Sequence, residues 1–255
     1  MTHAAWASIL AVAAGATIAA AEPNGTRWIE EDSGGTNGVT DAGPLLGNAN
    51  VTASGQPGDQ TLTQITGILT FRDDVDMFRI RISNPAGFSA STFGPPGSSS
   101  SGDTILALFT ETGVAVGWND NRTESPTSTL STLTNATLTN GGFGAGIYYL
   151  AVARNDLGFG GTFQAAALDG NGNEIFPFTA PPPANGDANT DRRAEYGPTT
   201  PGTVLASWRE QGGGFQPFNA NYNVNLTGVE FSEVPAPGAT AALVLGLAAF
   251  GRRRR

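Results

Sequence analysis

The sequence predicts an all-β protein folded as a sandwich of two sheets, and three observations favour this class. Glycine and proline supply 35 and 16 of the 255 residues, and together with abundant Asn, Ser and Thr they separate short apolar segments as turns do. Several of these segments alternate apolar and polar residues with a period of two. No segment sustains the 3.6-residue apolar period of an amphipathic helix, so two packed layers of strands are expected.

The clearest predicted strand is 77–82, which places Phe78, Ile80 and Ile82 on one face and two arginines on the other. Segments 105–109 and 147–152 are apolar on both faces, as central strands covered on both sides would be. The remaining predicted strands are short apolar runs between turn residues, at 62–69, 88–93, 114–118, 162–168, 204–208 and 222–227.

The N-terminal segment has the pattern of a secretory signal peptide. Residues 6–21 are apolar apart from a serine and a threonine, and they end in three alanines before Glu22-Pro23. Small residues at this position are typical of a cleavage site. We therefore predict a signal helix over residues 1–21, cleavage after Ala21, and transfer to the secretion machinery.

The C-terminal segment, 234–255, combines a proline-rich turn, an apolar run and an arginine cluster. Pro235 and Pro237 cannot continue a strand or a helix, so the folded body is expected to end at about Glu233. Residues 239–250 carry no charge, and residues 252–255 are all arginine, which favours the cytoplasmic side of a membrane. A short apolar helix is expected here, because twelve residues fall below the ~20 that span a bilayer.

This order of segments resembles the PEP-CTERM sorting signal of exported bacterial proteins, with Pro235-Ala236-Pro237 where that family usually has Pro-Glu-Pro. The resemblance implies export through the cytoplasmic membrane, a transient membrane tether, and removal of the tail by an exosortase-type sorting peptidase. The protein would then reside at the cell surface or in the extracellular matrix. The alternative is an ordinary C-terminal membrane anchor.

The composition of the body, residues 22–233, excludes several kinds of chemistry. It contains no cysteine, histidine or lysine, so disulfides, thiolate nucleophiles, Ser-His-Asp triads and Cys or His metal sites are absent. Only hard oxygen ligands remain, and calcium is the metal that they suit. The body has 22 acidic residues against nine arginines, a net charge of −13, and such a surface repels nucleic acid.

Three stretches of the body, 73–82, 103–121 and 144–156, resemble the bacterial pre-peptidase C-terminal domain. The matching positions are Asp74, Val75, Asp76, Phe78, Asp103, Leu108, Phe109, Gly113, Asn119, Asp120, Gly146, Tyr148 and Tyr149. The resemblance implies a jelly-roll-like antiparallel β-sandwich with a core at about 60–156. Residues 157–233 are interpreted as further strands of the same sandwich, with 222–229 as a closing strand rather than a new domain.

Two acidic clusters are the candidate calcium ligands. Asp73, Asp74 and Asp76 crowd three carboxylates at the start of a predicted strand, and Glu30, Glu31 and Asp32 follow Trp28. Crowded carboxylates either bind a cation or form a solvated turn, and both interpretations stay open. The sequences that begin at Asp169 and Asp187 lack the glycine of a calcium loop and are interpreted as turns.

The function expected from the sequence is non-catalytic: adhesion or association with exopolysaccharide. Trp118 beside the polar residues Asn119 and Asp120 is a candidate contact for a ligand. One alternative is a carbohydrate-binding module, whose candidate stacking residues are Trp28, Trp118, Trp208, Tyr148, Tyr149, Tyr196 and Tyr222. A further alternative is a glycoside hydrolase that uses two carboxylates, although 22 acids produce such pairs by chance.

Overall fold

A computed structural model describes the body of the chain and not its two ends. The described residues are 26–30, 42–54, 60–69, 75–94, 100, 103–120, 130–156, 163–164, 166–176, 197–209 and 220–233. The predicted signal helix at 1–21 and the predicted sorting tail at 234–255, including Ala21, Pro235 and Pro237, lie outside these residues. Within the described ranges, no helix is long and apolar enough to cross a membrane.

Strands are the dominant regular structure of the described residues, which confirms the all-β prediction. Two short helices interrupt them: a 3-10 turn at Pro85–Gly87 and the helix α1 at Asn135–Gly141. In chain order the strands are β1 Arg27–Ile29, β2 Asn50–Val51, β3 Gln64–Leu69, β4 Val75–Ile82, β5 Ser89–Ser91, β6 Thr104–Thr110, β7 Ala115–Asn119, β8 Thr132–Thr134, β9 Gly146–Asp156, β10 Phe163–Gln164, β11 Ala166–Leu168, β12 Ser207–Arg209, β13 Ala220–Thr227 and β14 Val229–Phe231.

One sheet has the strand order β1-β3-β13-β5-β8. In β13 the alternation of the sequence becomes an alternation of burial, with Tyr222, Val224 and Leu226 buried and the asparagines between them half-buried. Because strand side chains point to opposite faces in turn, this sheet has one face on the core and one face toward solvent. β13 lies between β3 and β5, so the segment predicted to close the fold is an interior strand.

The second sheet has the order β14-β4-β9-β6-β7, with β2 beside β4 and β10 beside β9. β9 and β6 are its central strands, as the apolar runs at 147–152 and 105–109 predict. Inner residues such as Phe78 and Leu150 join residues of the first sheet in one buried core. Met77, Phe109 and Ala151 face the other way, into a second core that β11, β12 and flanking segments cover.

The segments beyond residue 156 supply strands to both sheets. The chain passes from β13 in the first sheet to β14 in the second at Gly228, which has φ +69°. A Cβ at this glycine would lie 2.5 Å from the carbonyl oxygen of Asn84. The crossing therefore needs a residue that adopts a left-handed conformation and has no side chain.

Two features of the fold differ from the prediction. The sheets are mixed rather than purely antiparallel, because β1 runs parallel to β3 and β2 runs parallel to β4. Both strands are two or three residues long and connect to their partners through long segments, so no tight hairpin fixes an antiparallel orientation. The helix α1 was not predicted, since only Thr137 and Leu138 in it are buried and it shows no apolar period.

Candidate functional site

The six predicted calcium ligands divide between described and undescribed parts of the chain. Glu31, Asp32, Asp73 and Asp74 lie outside the described residues. Glu30 and Asp76 are described, and both are buried, with exposed fractions of 5 % and 0 %. Among the residues that the structure describes, no group of three or more His, Cys, Asp or Glu side chains is arranged to hold a metal ion. The calcium site thus stays a prediction.

The structure brings Glu30 and Asp76 to the same hydroxyl group, that of Tyr222. Glu30 follows β1 in the first sheet, and its carboxylate accepts hydrogen bonds from the Tyr222 hydroxyl and from the backbone N–H of Ala42, the latter at 2.5 Å. Asp76 lies in β4 of the second sheet, with the same strand parity as Phe78 and Ile80, which face the shared core. The three side chains therefore join the two sheets through polar interactions within an apolar core.

Gly67 provides the space for this polar cluster. It pairs with Tyr222 across the β3 and β13 ladder, and a Cβ at Gly67 would overlap both the Tyr222 hydroxyl and a Glu30 carboxylate oxygen. A glycine inside a strand weakens the strand, and it is used where another group must approach closely. Here the approaching groups are the phenol and the carboxylate.

Burial is the largest cause that raises the pKa of Tyr222 well above its ordinary value, followed by the charges of Asp76 and then of Glu30. All three favour the neutral phenol, because a phenolate would be desolvated and would stand beside carboxylates. Tyr222 is consequently a permanent hydrogen-bond donor at neutral pH. The two carboxyl groups are closed to solvent, so a glycosidic bond has no route to this pair in the described fold.

The turn at Asp169 is a self-contained structure, which confirms its interpretation from the sequence. The Asp169 carboxylate accepts the backbone N–H groups of Asn171 and Asn173 at 2.9 and 2.8 Å, and the Asn173 side-chain amide at 3.2 Å. The Asn173 backbone donor is the largest cause that lowers the pKa of Asp169. Gly172 completes the turn with φ +80°. The similar stretch at Asp187 lies outside the described residues.

Trp118, the main side chain predicted to contact a ligand, is packed inside the protein. Of the other predicted stacking residues, Tyr149 is half-buried and Tyr196 lies outside the described residues. Trp118 has an exposed fraction of 4 % and stacks on Phe176 and Trp208, with ring centroids 5.5 and 6.3 Å away. The Trp208 indole donates to the Pro44 carbonyl at 2.7 Å, so its N–H is satisfied within the protein. Trp28, Tyr148 and Tyr222 are buried as well, so their rings offer no open face for stacking on a sugar.

Asn119 and Asp120 are also buried and structural. The Asn119 side-chain oxygen accepts the backbone N–H of Thr132 at 2.7 Å, and the Asp120 carbonyl accepts the Ser131 hydroxyl at 2.8 Å. These bonds attach the end of β7 to the segment that leads into β8. In the described fold, none of Trp118, Asn119 and Asp120 presents its side chain to solvent.

A surface groove that was not predicted lies between α1, β7 and the turn at 197–202. Its volume is about 220 Å³, and Ala115 and Val116 of β7 form its floor. One wall consists of Thr137, Asn140, Gly141 and Phe143, and the other contains Pro198 and Pro201 between Gly197 and Gly202. None of these ten residues is charged. The volume is below the roughly 300–1,000 Å³ of sites for drug-sized ligands, so one ring-sized group fits.

The first wall is fixed by the C-terminal cap of α1. Gly142 adopts a left-handed conformation with φ +70°, its N–H donates to Thr139, and the N–H of Phe143 donates to Leu138 at 2.9 Å. This pair of bonds is a Schellman motif, which sets the position of the residue after the glycine. The Phe143 ring consequently lies over Gly141, where a Cβ would overlap it, and packs partly on the core beneath.

The second wall is a turn with Pro201 and Gly202 at its central positions. Gly202 has φ +84°, and the N–H of Thr203 donates to the Thr200 carbonyl at 3.3 Å, as in a type II turn. The turn is attached to the start of β7, because the N–H of Ala115 donates to Thr203 at 2.9 Å and the N–H of Leu205 donates to Gly113 at 3.0 Å. Both walls of the groove are thus held by backbone hydrogen bonds.

No local sequence pattern identifies this groove, because its residues come from three segments between 115 and 202. The Thr-Pro-Gly-Thr turn and the glycine after Asn140 are the signals from which its walls could have been anticipated. Comparisons with protein-family models, curated proteins and solved structures found no match for this chain.

Proposed function

We propose that this chain is an exported, non-catalytic protein of the cell surface or extracellular matrix that acts by adhesion or association with exopolysaccharide. Its body is proposed to be a jelly-roll-like β-sandwich of the kind that the pre-peptidase resemblance implies. The two sheets with a shared core support this arrangement. An exosortase-type peptidase would remove the tail after export.

The observation that carries the proposal is the order of segments along the chain. An apolar segment ending at Ala21 precedes a β-rich body, and Pro235, Pro237, an apolar run and four arginines follow it. A cleavable signal at one end and a short apolar run before a cationic cluster at the other fit a protein that crosses the membrane and is held there only transiently.

Binding is favoured over catalysis by where the polar groups lie. The carboxylates of Glu30 and Asp76 are buried around Tyr222, whereas the groove beside α1 is open and uncharged. A carbohydrate-binding module is therefore the second candidate function, and the groove is the observation that favours it.

The test is to follow the termini and the location of the protein in its native cell. Intact-mass measurement of surface-extracted protein should show the loss of residues 1–21 and a new C-terminus near Pro235. Deletion of 234–255 should abolish the membrane-bound precursor, because the transient tether is then missing. Recovery of a chain that ends at Arg255 from washed membranes would make the protein a conventionally anchored one and would contradict the sorting proposal.

A further inference from the structure

We infer that the groove between α1, β7 and the turn at 197–202 binds one neutral sugar unit of a polysaccharide. This inference rests on the proposed function and deepens it by naming the site and the class of ligand. The groove is referred to below as the α1 groove.

The α1 groove is formed before any ligand arrives. The Schellman cap at Gly142 positions one wall. The other wall is positioned by two backbone bonds, from the N–H of Ala115 to Thr203 and from the N–H of Leu205 to Gly113. β7 forms the floor, and its Gly117 lies against the methyl group of Thr137, so α1 sits close on the strand. A site whose walls are fixed by the backbone loses little conformational entropy when it binds.

The absence of charge in the lining selects a neutral ligand. The ten lining residues that the structure describes contain no acid and no base, and a charged group placed beside them would lose hydration without gaining a partner. The net charge of −13 on the body adds repulsion against anionic chains. Uronic-acid, sulfated and phosphorylated polymers are thereby disfavoured relative to neutral hexose polymers.

The mixture of apolar and polar groups matches a pyranose ring, which has an apolar C–H face and a rim of hydroxyl groups. The half-buried Phe143 ring and the two prolines supply apolar surface. The Asn140 carboxamide, exposed in the wall, hydrogen-bonds to no residue within the described part of the chain and is available to a hydroxyl. Sites of this kind combine aromatic lining with a few placed polar groups.

The test is a calorimetric titration of the purified full chain with neutral gluco-, galacto- and manno-oligosaccharides and with an oligo-uronate as the charged comparison. A single ring-sized contact should bind with a Kd of about 1 mM. Asn140→Ala should weaken binding by about 5- to 10-fold, the value of one hydrogen bond. Phe143→Ala should abolish measurable binding, and the exposed Phe93→Ala is its matched control.

A second variant occludes the α1 groove without removing packing. A Cβ at Gly197 meets no atom within 4 Å and the residue lines the groove, so Gly197→Leu should fill the space and abolish binding. Gly170→Leu, also in open space but in another turn, is the control and should bind as the unaltered protein does.

The outcomes separate the site from the function. Neutral-sugar binding that is lost in Gly197→Leu and kept in Gly170→Leu supports the α1 groove. If Gly197→Leu and Asn140→Ala leave sugar binding unchanged, the sugar does not bind in the α1 groove, and the proposed function stands. Preferential binding of the oligo-uronate would contradict the inference that the ligand is neutral. A protein that binds no glycan, yet is surface-located, overturns the inference and leaves only adhesion.

Discussion

Replacing Tyr222 with phenylalanine isolates the contribution of one hydroxyl to the joining of the two sheets. The ring should stay in place, because it packs edge-to-face on Phe78 with centroids 6.4 Å apart. What is lost is the O–H donor to Glu30, in a site where Asp76 also faces the hydroxyl. A hydrogen bond to a charged group contributes about 1.5–3 kcal/mol.

For a body of this size, that loss corresponds to a fall in melting temperature on the order of 3–12 °C. In urea, the unfolding midpoint should fall while the m-value stays constant, because the surface exposed on unfolding does not change. Tyr149→Phe is the control, since the Tyr149 hydroxyl bonds to no residue in the described ranges. A Tyr222→Phe variant as stable as Tyr149→Phe would refute the role assigned to the hydroxyl.

The pH dependence gives a second measure of the same group. The folded-state pKa of Tyr222 is raised, so its contribution to the free energy of unfolding is fully present below the unfolded-state pKa of about 10. Above that pH the unfolded chain releases a proton that the folded chain retains, and stability falls by about 1.4 kcal/mol per pH unit until the folded-state pKa is reached. Tyr222→Phe should show a shallower loss above pH 10, and an identical slope would contradict this.

Three further outcomes are expected. Gly228→Ala should destabilise the fold by about 2–4 kcal/mol in denaturant unfolding, because Gly228 has a left-handed φ and a Cβ there would overlap Asn84. The control is Gly172→Ala, which also has a left-handed φ but lies in open space, and it should cost only about 1–2 kcal/mol. Equal losses of stability in the two variants would contradict the overlap. In an NMR titration the Asp169 carboxyl should titrate below 3.8. Its contribution to stability is therefore present above the pKa of the unfolded state and is lost as pH falls through the pKa of the folded state. A titration midpoint at or above 3.8 would contradict the hydrogen bonds of the turn. Millimolar calcium should raise the melting temperature more than magnesium does. At a hundredfold excess over Kd, bound calcium adds about 2.7 kcal/mol to the free energy of unfolding. Equal rises in melting temperature with the two ions would mean charge screening.

Strands whose sequences alternate over six or more residues were predictable. The segments 77–82 and 222–227 lie in β4 and β13, and the doubly apolar runs at 105–109 and 147–152 lie in the central β6 and β9. In the two alternating strands the pattern of side chains equals the pattern of burial, so one face can be assigned from the sequence alone. The doubly apolar runs indicate only a central strand with both faces covered. The three-residue strands β1, β8 and β14 are too short to show a period.

The sites were less predictable, because they form between distant segments. Glu30 and Tyr222 are 192 residues apart, and nothing near either residue indicates the other. Trp118 stands beside polar residues in the sequence, but the covering layer that contains Phe176 and Trp208 buries it. The α1 groove depends on the helix α1. The cap residues of this helix, Thr134 and Gly142, could be identified from the sequence, but the helix shows no apolar period that would have predicted it.

Co-sedimentation with the exopolysaccharide of its own cells tests the proposed association most directly. Purified protein mixed with the washed polymer should pellet with it at neutral pH and should be released by excess neutral oligosaccharide. Gly197→Leu should remain in the supernatant, and Gly170→Leu should pellet. Protein that stays in the supernatant at every polymer concentration would contradict a role in exopolysaccharide association.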